Sequence, residues 1–146
     1  MKHRTMRIIT VLLVIVLLMS PLTVFATELS ESSDSEDSRA SNYIHSTYAR
    51  TSNTNGTVKV YFQIVGTGTM NSIGAAQIKI KDSTGTVCAT FNYKTTSGMM
   101  SYSASAHMGN VYYYNGSAST RYYAEVTFQA SNNSGTDNRT YYTSLS

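Results

Sequence analysis

The chain has 146 residues, a length that is enough for one ordinary domain, and its formal net charge is +3. Charged residues make up 13% of the chain, and this low share argues against a charge-driven disordered protein or a coiled coil. The single cysteine excludes an internal disulfide framework and any zinc site built from several cysteines.

The N-terminal residues have the pattern of a secretory signal peptide. Basic residues precede a short apolar run between Ile8 and Met19, and small or β-branched residues lead to a cleavage site after Ala26. We predict that residues 1–26 form a helical signal peptide and that the protein is secreted, remaining extracellular or loosely associated with the cell envelope. The alternative is an uncleaved anchor, but the apolar run is shorter than the roughly 20 residues that span a bilayer.

Residues 27–41 are rich in serine and in acidic side chains, with Leu29 as the only large apolar residue. Such a segment buries too little surface to offset its ordering entropy, so we predict a disordered linker. The acidic residues are Glu28, Glu31, Asp34, Glu36 and Asp37. The segment either shields a basic surface of the following domain, marks a site of propeptide removal, or is a solvated spacer.

Residues 42–146 have the pattern of an all-β domain. Apolar and polar residues alternate in five segments, at residues 58–64, 77–81, 87–93, 102–106 and 122–130. Turn-forming pairs separate them, among them Asn55-Gly56, Gly66-Thr67-Gly68, Thr84-Gly85, Ser97-Gly98, Asn115-Gly116 and Ser134-Gly135. We predict an antiparallel two-sheet β-sandwich of about seven or eight strands.

The segment from Tyr122 to Gly135 resembles strand F and the F–G loop of fibronectin type III and immunoglobulin-like domains. In those domains a tyrosine opens a strand of alternating small apolar residues, and an Asn/Gly loop follows. The resemblance implies an immunoglobulin-like sandwich in which Tyr122 has a structural role, its hydroxyl bonding back to the chain.

A second resemblance covers most of the domain. It rests on Ala40-Ser41-Asn42-Tyr43-Ile44, Gly66-Thr67-Gly68-Thr69-Met70, Ile73-Gly74-Ala75, Ser97-Gly98-Met99-Met100, His107, Tyr123-Ala124-Glu125-Val126-Thr127-Phe128 and Asp137-Asn138-Arg139-Thr140-Tyr141. In this order the segments resemble a family of small secreted proteins from Gram-positive bacteria, classed as a domain of unknown function. The resemblance implies secretion and a lone β-domain, and it implies no chemistry.

Candidate catalytic residues are few. Cys88 occupies an alternating strand position without the glycine-rich elbow or helix start that would expose and activate a nucleophile. The domain has only two histidines, His45 and His107, and lacks metal-binding histidine spacing, so we predict no metal and no cofactor. One enzymatic alternative remains, a secreted hydrolase that uses His107 with Glu125 or Asp137.

The tyrosines are the most distinctive feature of the domain. Adjacent tyrosines in a strand point to opposite faces, so each cluster places at least one ring outside. We predict a binding face formed by Tyr112, Tyr114, Tyr123 and Tyr142, together with Arg121 and Arg139. Exposed phenol rings suit contacts with cell-wall glycan or with a protein partner. The alternative is that these tyrosines are simply good strand formers.

The sequence therefore favours a secreted, non-enzymatic binding module at the cell envelope. Nucleic acid is not an expected partner because the basic residues form no cluster. No stable membrane anchor is expected after signal cleavage. A third alternative, a bacteriocin-like effector, is disfavoured because the mature chain is formally neutral and has no amphipathic basic helix.

Overall fold

A computed structural model describes residues 41–146. The predicted signal peptide, its cleavage site after Ala26 and the linker up to residue 40 lie outside the described residues. Within residues 41–146, no helix has the length and apolar character needed to cross a membrane.

The described part of the chain is all-β, as the alternation predicts, and its strands pair antiparallel throughout. The six strands are β1 (Ile44–Thr54), β2 (Thr57–Asp82), β3 (Val87–Asn92), β4 (Met100–Tyr113), β5 (Tyr122–Asn132) and β6 (Gly135–Tyr142). A two-residue turn joins β1 to β2, with Asn55 at φ 52° and Gly56 at φ 84°. Positive φ at both positions suits asparagine and glycine, which confirms the hairpin predicted from this pair.

The predicted turn at Gly66-Thr67-Gly68 is wrong, because β2 continues through it as one strand of 26 residues. Two predicted strands are thus one, and the described residues form six strands rather than seven or eight. The pairing of β2 with β4 shifts register between Val65 and Met70, so the strand bends here without ending. A Cβ on Gly66 would lie 3.0 Å from the carbonyl oxygen of Gly68, so the bend brings backbone close to backbone.

Strand β2 organises the whole sheet. Its residues 57–66 pair with β1 on one edge, and residues 58–74 pair with β4 on the other. After the bend, residues 72–82 of β2 pair with β5 on the same edge of the strand that carries β1 earlier. Residues 77–81 pair with β3 on the opposite edge, the one that carries β4. Strand β6 pairs with β5. The six strands therefore form one continuous sheet that curls into a half-barrel.

The core lies between the two halves of the curled sheet. The first half consists of β1, β4 and residues 57–66 of β2, and the second half consists of β3, β5, β6 and residues 72–82 of β2. The fully buried core members in β2 and β5 are Val58, Val60, Phe62, Ile64, Ile73, Ala75, Ile78, Ile80, Ala124, Val126, Phe128 and Ala130. Across the core the Phe62 and Phe128 ring centroids lie 6.5 Å apart. The hydroxyls of Thr51 and Thr143 form a buried hydrogen bond of 2.6 Å. Because the inner faces of the two halves pack together, their outer faces point away from each other.

Tyr122 ties the loop between β4 and β5 to the core. Its ring is 4% exposed, and its hydroxyl accepts a hydrogen bond of 2.8 Å from the Ser117 amide. The side-chain amide of Asn53 holds the same loop, donating at 2.9 Å to the carbonyl oxygens of Ser117 and Thr120. Both contacts fix the loop that connects the end of β4 to the start of β5.

The N-terminal end of β1 is fixed to β6. The Ser41 hydroxyl donates to Asp137 at 2.6 Å, and the Tyr43 amide donates to the same carboxylate oxygen at 2.8 Å. Ser41 also accepts a hydrogen bond of 2.8 Å from the Ile44 amide. Ser41, which the sequence places at the end of the linker, is therefore held by the domain.

Candidate binding face

The structure divides the four predicted binding tyrosines into two pairs. Tyr112 and Tyr114 lie at the end of β4, beside the first half of β2. Tyr123 and Tyr142 lie on β5 and β6, on the outer side of the second half. Since the outer faces of the halves point away from each other, these four side chains do not share one surface.

Both predicted arginines are engaged in other contacts. Arg121 precedes β5 and donates to the Leu145 carbonyl oxygen at 3.4 Å. Arg139 is the ladder partner of buried Phe128, so its side chain leaves β6 on the inward side. The charge of Arg139 helps to lower the pKa of Asp137.

The outer side of the first half carries a different cluster of aromatic and basic side chains, which we call the tyrosine face. It consists of Tyr48, Arg50, Lys59, Tyr61, Tyr112 and Tyr114. The strand register builds it in rows, with Arg50 beside Tyr61 and Lys59 beside Tyr112. These residues occupy the positions that alternate with the core residues of the same strands, so one face is buried and the other is solvated.

The rings of the tyrosine face pack in two pairs. The Tyr48 and Tyr61 centroids lie 6.1 Å apart, and the Tyr112 and Tyr114 rings stack at 6.0 Å with an interplanar angle of 11°. The Lys59 ammonium lies 5.9 Å from the Tyr112 ring centroid, within the range of a cation–π interaction. Tyr48, Tyr112 and Tyr114 remain 46%, 42% and 71% exposed.

A groove crosses this face between β1 and β2. Its volume is about 330 Å³, and it is lined by Tyr48, Arg50, Ser52, Lys59 and Tyr61. Its lining combines two phenol rings, two cations and the Ser52 hydroxyl, and it contains no carboxylate. The groove can therefore offer aromatic stacking and charge-assisted hydrogen bonds to one ligand.

The cations of the tyrosine face are not neutralised within residues 41–146. The Arg50 side chain makes no hydrogen bond or ion pair there, and Lys59 contacts only an aromatic ring. The acidic side chains of this part of the chain are engaged elsewhere. Asp82 accepts hydrogen bonds from its own turn, Glu125 from two lysines, and Asp137 from the start of β1. The face is therefore a positively charged surface.

On the outer face of the second half, one carboxylate pairs with two lysines and partly neutralises them. Glu125 accepts hydrogen bonds from Lys79 at 3.0 Å and from Lys81 at 2.5 Å. The bond from Lys81 is the largest cause of the lowered pKa of Glu125, and burial opposes it. The same bond is the largest cause of the raised pKa of Lys81. This face has less charge to offer an anion than the tyrosine face.

The Glu125 ion pairs predict a specific pH dependence of stability. The pKa of Glu125 in the fold is below its ordinary value of 4.5. The ion pairs therefore stabilise the folded protein fully above about pH 4.5, and this stabilisation is lost as the pH falls through the lowered pKa. Glu125→Gln should lower the free energy of unfolding at pH 7 by about 1 kcal/mol. Urea unfolding at pH 7 and pH 3 checks this. An equal difference in the free energy of unfolding between wild type and Glu125→Gln at pH 7 and pH 3 would contradict this prediction.

His107 does not meet its proposed catalytic partners. Its Nε2 donates to the Gly98 carbonyl oxygen at 3.0 Å, so Nδ1 accepts from the Ser101 hydroxyl at 2.7 Å. The ring packs against buried Phe62 with centroids 5.7 Å apart, on the inward side of β4. Glu125 lies on the outward side of β5, where its lysines hold it.

The remaining hydrolase candidates are held in other contacts. The Ser41 hydroxyl and the Tyr43 amide both bind Asp137, and the bond from Ser41 is the main cause of its lowered pKa. Burial, followed by the charge of Asp82, raises the pKa of Cys88 and so favours its thiol form. Within residues 41–146, no three histidine, cysteine or acidic side chains come together as a possible metal site.

Of the tyrosine face, sequence reasoning predicted only Tyr112 and Tyr114 as binding residues. Lys59 and Tyr61 were visible as the polar face of a predicted strand, but Tyr48 and Arg50 lie in β1, for which no alternation was identified. The signal that could have found them is the Asn55-Gly56 turn, since a two-residue hairpin sets Arg50 opposite Tyr61.

Comparison of the chain with protein family models, with curated proteins and with solved structures finds no match.

Proposed function

We propose that this protein is a secreted, non-enzymatic module that binds an anionic glycan of the cell envelope through its tyrosine face. One observation carries the proposal: two basic side chains without acidic partners in residues 41–146 stand among four tyrosine rings on one solvated sheet face. We also propose a relation to two-sheet immunoglobulin-like sandwiches, because the core is packed between two layers of strands, although here both layers belong to one continuous sheet.

The chemistry of the face matches that ligand class. The apolar side of a sugar ring can lie on an exposed phenol ring, whose hydroxyl remains available for hydrogen bonds. The planar guanidinium of Arg50 can bind a carboxylate or phosphate group through two parallel hydrogen bonds, and Lys59 provides a second point charge. A groove of about 330 Å³ falls within the usual range for small-ligand sites.

The face also continues beyond the groove. Tyr112 and Tyr114 extend the row of rings across β4, so a polymer could cross three strands while one charged unit occupies the groove. An envelope glycan with repeated anionic groups fits this layout better than a small free sugar. The hydrolase and the bacteriocin-like effector gain no support from the contacts of residues 41–146.

Alanine replacement of Tyr61 tests the proposal. Tyr61→Ala should weaken binding to an immobilised anionic wall glycan by about fivefold or more, as expected for a central aromatic contact. Tyr61→Phe keeps the ring and should retain most of the affinity. Tyr142→Ala is the matched control, since it removes an exposed ring from the other half of the sheet. Equal loss in Tyr142→Ala and Tyr61→Ala, or no binding by the unmodified chain, would overturn the proposal.

A further inference from the structure

We infer that the protein pairs with a second copy of itself along the free edge of β4, through residues 107–113. In this dimer the β4 strands of the two copies run antiparallel, so that one sheet extends across both molecules. The pairing is independent of any ligand, but its consequence for polymer binding rests on the proposed function.

Strand β4 has an unpaired edge in the described part of the chain. It pairs with β2 on one side, and no other strand of residues 41–146 pairs with it. The N–H and C=O groups that point to the free edge are therefore available to an added strand. Such an edge is complementary to itself, because two antiparallel copies place donors opposite acceptors.

Charge favours a second copy as the occupant of this edge. Residues 95–120 contain no Asp, Glu, Lys or Arg, so β4 and the segments beside it are formally neutral at pH 7. Like charges directly opposite each other in paired strands repel, and natural edge strands often carry a charge that prevents association. Strand β4 meets no such repulsion from its own copy, and it offers no charge that would attract a charged partner instead.

The other outer strands have the protection that β4 lacks. Strand β3 has only six residues, and a short edge offers few hydrogen bonds to a partner. Strand β6 carries Asp137 and Arg139. Strand β1 packs against β5 and β6, with the Tyr48 and Tyr141 ring centroids 6.5 Å apart. Among the described strands, β4 is therefore the long edge without charge or cover.

The shape of β4 determines the register of the pairing. Along residues 107–113 every second side chain is exposed, as in a regular pleated strand. Towards the start of β4, Ser103 has φ 52° and the pairing with β2 shifts register, so the regular pleat ends there. The regular stretch is centred on Asn110. Pairing all of it places Asn110 opposite its own copy, and Met108 opposite Tyr112 of the second copy.

The exposed side chains of the edge suit this register. Met108 and Tyr112 are both large hydrophobic residues, and Met108 is 62% exposed. The thioether of methionine makes favourable contacts with aromatic rings, and the twofold symmetry forms this contact twice. The dimer therefore covers apolar surface that a single copy leaves in solvent.

The pairing would also align the two tyrosine faces. Directly opposite residues of an antiparallel pair lie on the same side of the sheet, so both outer faces point in one direction. In this register the two Tyr112 residues lie about 14 Å apart, from four residues along the strand and one strand spacing across. A polymer could contact both faces at once, whereas a short fragment could contact only one.

Sedimentation equilibrium of the chain after signal removal measures the association. We expect a reversible dimer with a dissociation constant of the order of 100 µM, as suits a small interface. Met108→Lys with Asn110→Lys should weaken dimerisation at least tenfold, because four lysines then meet at the twofold axis. The matched control, Asn42→Lys with Ser83→Lys, adds two lysines at exposed positions outside β4 and should change it less than threefold. A wild-type chain that stays monomeric at about 1 mM, or an equal loss in both variants, would overturn the inference.

Disulfide trapping tests the register in a Cys88→Ser background, which removes the native thiol. Directly opposite residues have Cβ atoms about 4.5–5.5 Å apart, so Asn110→Cys should form covalent dimers in air after a small adjustment. Met108→Cys is the control, because its two thiols would lie about 14 Å apart and should stay reduced. Absence of the Asn110→Cys dimer, or equal trapping of both variants, would overturn the inference.

Glycan binding separates this inference from the proposed function. Below the dimer dissociation constant, the trapped Asn110→Cys dimer should bind a long anionic wall glycan at least tenfold more tightly than the same chain after reduction. Both forms should bind a single repeat unit equally. If no dimer forms but the chain binds the glycan, the pairing is wrong and the proposed function stands. If the dimer forms but neither form binds the glycan, the pairing stands and the proposed function is wrong.

Discussion

Replacing Arg50 and Lys59 together with glutamine should weaken binding to an anionic envelope glycan by about 100-fold. Each hydrogen bond to a charged group contributes about 1.5–3 kcal/mol when the partner is desolvated, and exposed contacts contribute less. Two partly exposed contacts therefore account for a loss of this size. Both side chains lack acidic partners within residues 41–146, so the substitutions break no ion pair there. Isothermal titration calorimetry at low salt measures the loss.

A charge-matched control separates local contacts from net charge. Lys79→Gln with Lys94→Gln also removes two positive charges, from strand β2 beyond its bend and from the segment after β3, and should change the affinity less than threefold. The wild-type affinity should fall as salt rises, whereas that of the Arg50 and Lys59 variant should depend weakly on salt. An equal loss in both double variants would show that binding is a general effect of net charge.

Phe62→Ala should lower the free energy of unfolding by about 3–5 kcal/mol, the usual cost of removing a buried phenylalanine. Phe62 is fully buried, and its ring packs against Phe128 across the core. A Cβ on Gly109 would lie 2.7 Å from the Phe62 ring, so this position lacks a side chain in order to admit the ring. Because Gly109 has no side chain, it cannot fill the space that the Phe62→Ala substitution leaves.

Urea denaturation followed by tyrosine fluorescence measures this effect. Phe91→Ala is the control of similar chemistry, because Phe91 lies in β3 and is only partly buried against the core. It should cost less than Phe62→Ala. A loss below about 1 kcal/mol for Phe62→Ala would contradict the packing of the two halves around this ring.

The alternation of residues made strands β2 to β5 predictable, and in β2 and β5 it also identified the buried face, whereas Val87 and Tyr102 on the apolar sides predicted for β3 and β4 are exposed. Val58 to Ile64 alternate with polar residues, and the structure buries the predicted side. The Asn55-Gly56 pair likewise specified its turn, because both positions require positive φ. These features depend on local chemistry and on one buried face, which a single sequence displays directly.

The path of β2 was not predictable in the same way. Gly66-Thr67-Gly68 permits either a reversal or a bend, and long-range pairing decides between them. Here β4 pairs on both sides of the bend and holds the strand in one sheet. This bend also turns the two halves apart, which places Tyr112 and Tyr123 on different outer faces although both lie in tyrosine-rich runs of the sequence.

Chemical-shift mapping of the chain with a soluble anionic wall glycan tests the central claim most directly. We expect the largest amide and tyrosine-ring changes at residues 48–52, 59–63 and 110–114, which form the tyrosine face and its strands. Changes centred on Tyr123 and Tyr142, or a spectrum that the glycan leaves unaltered at millimolar concentration, would contradict the assignment of this face as the binding surface.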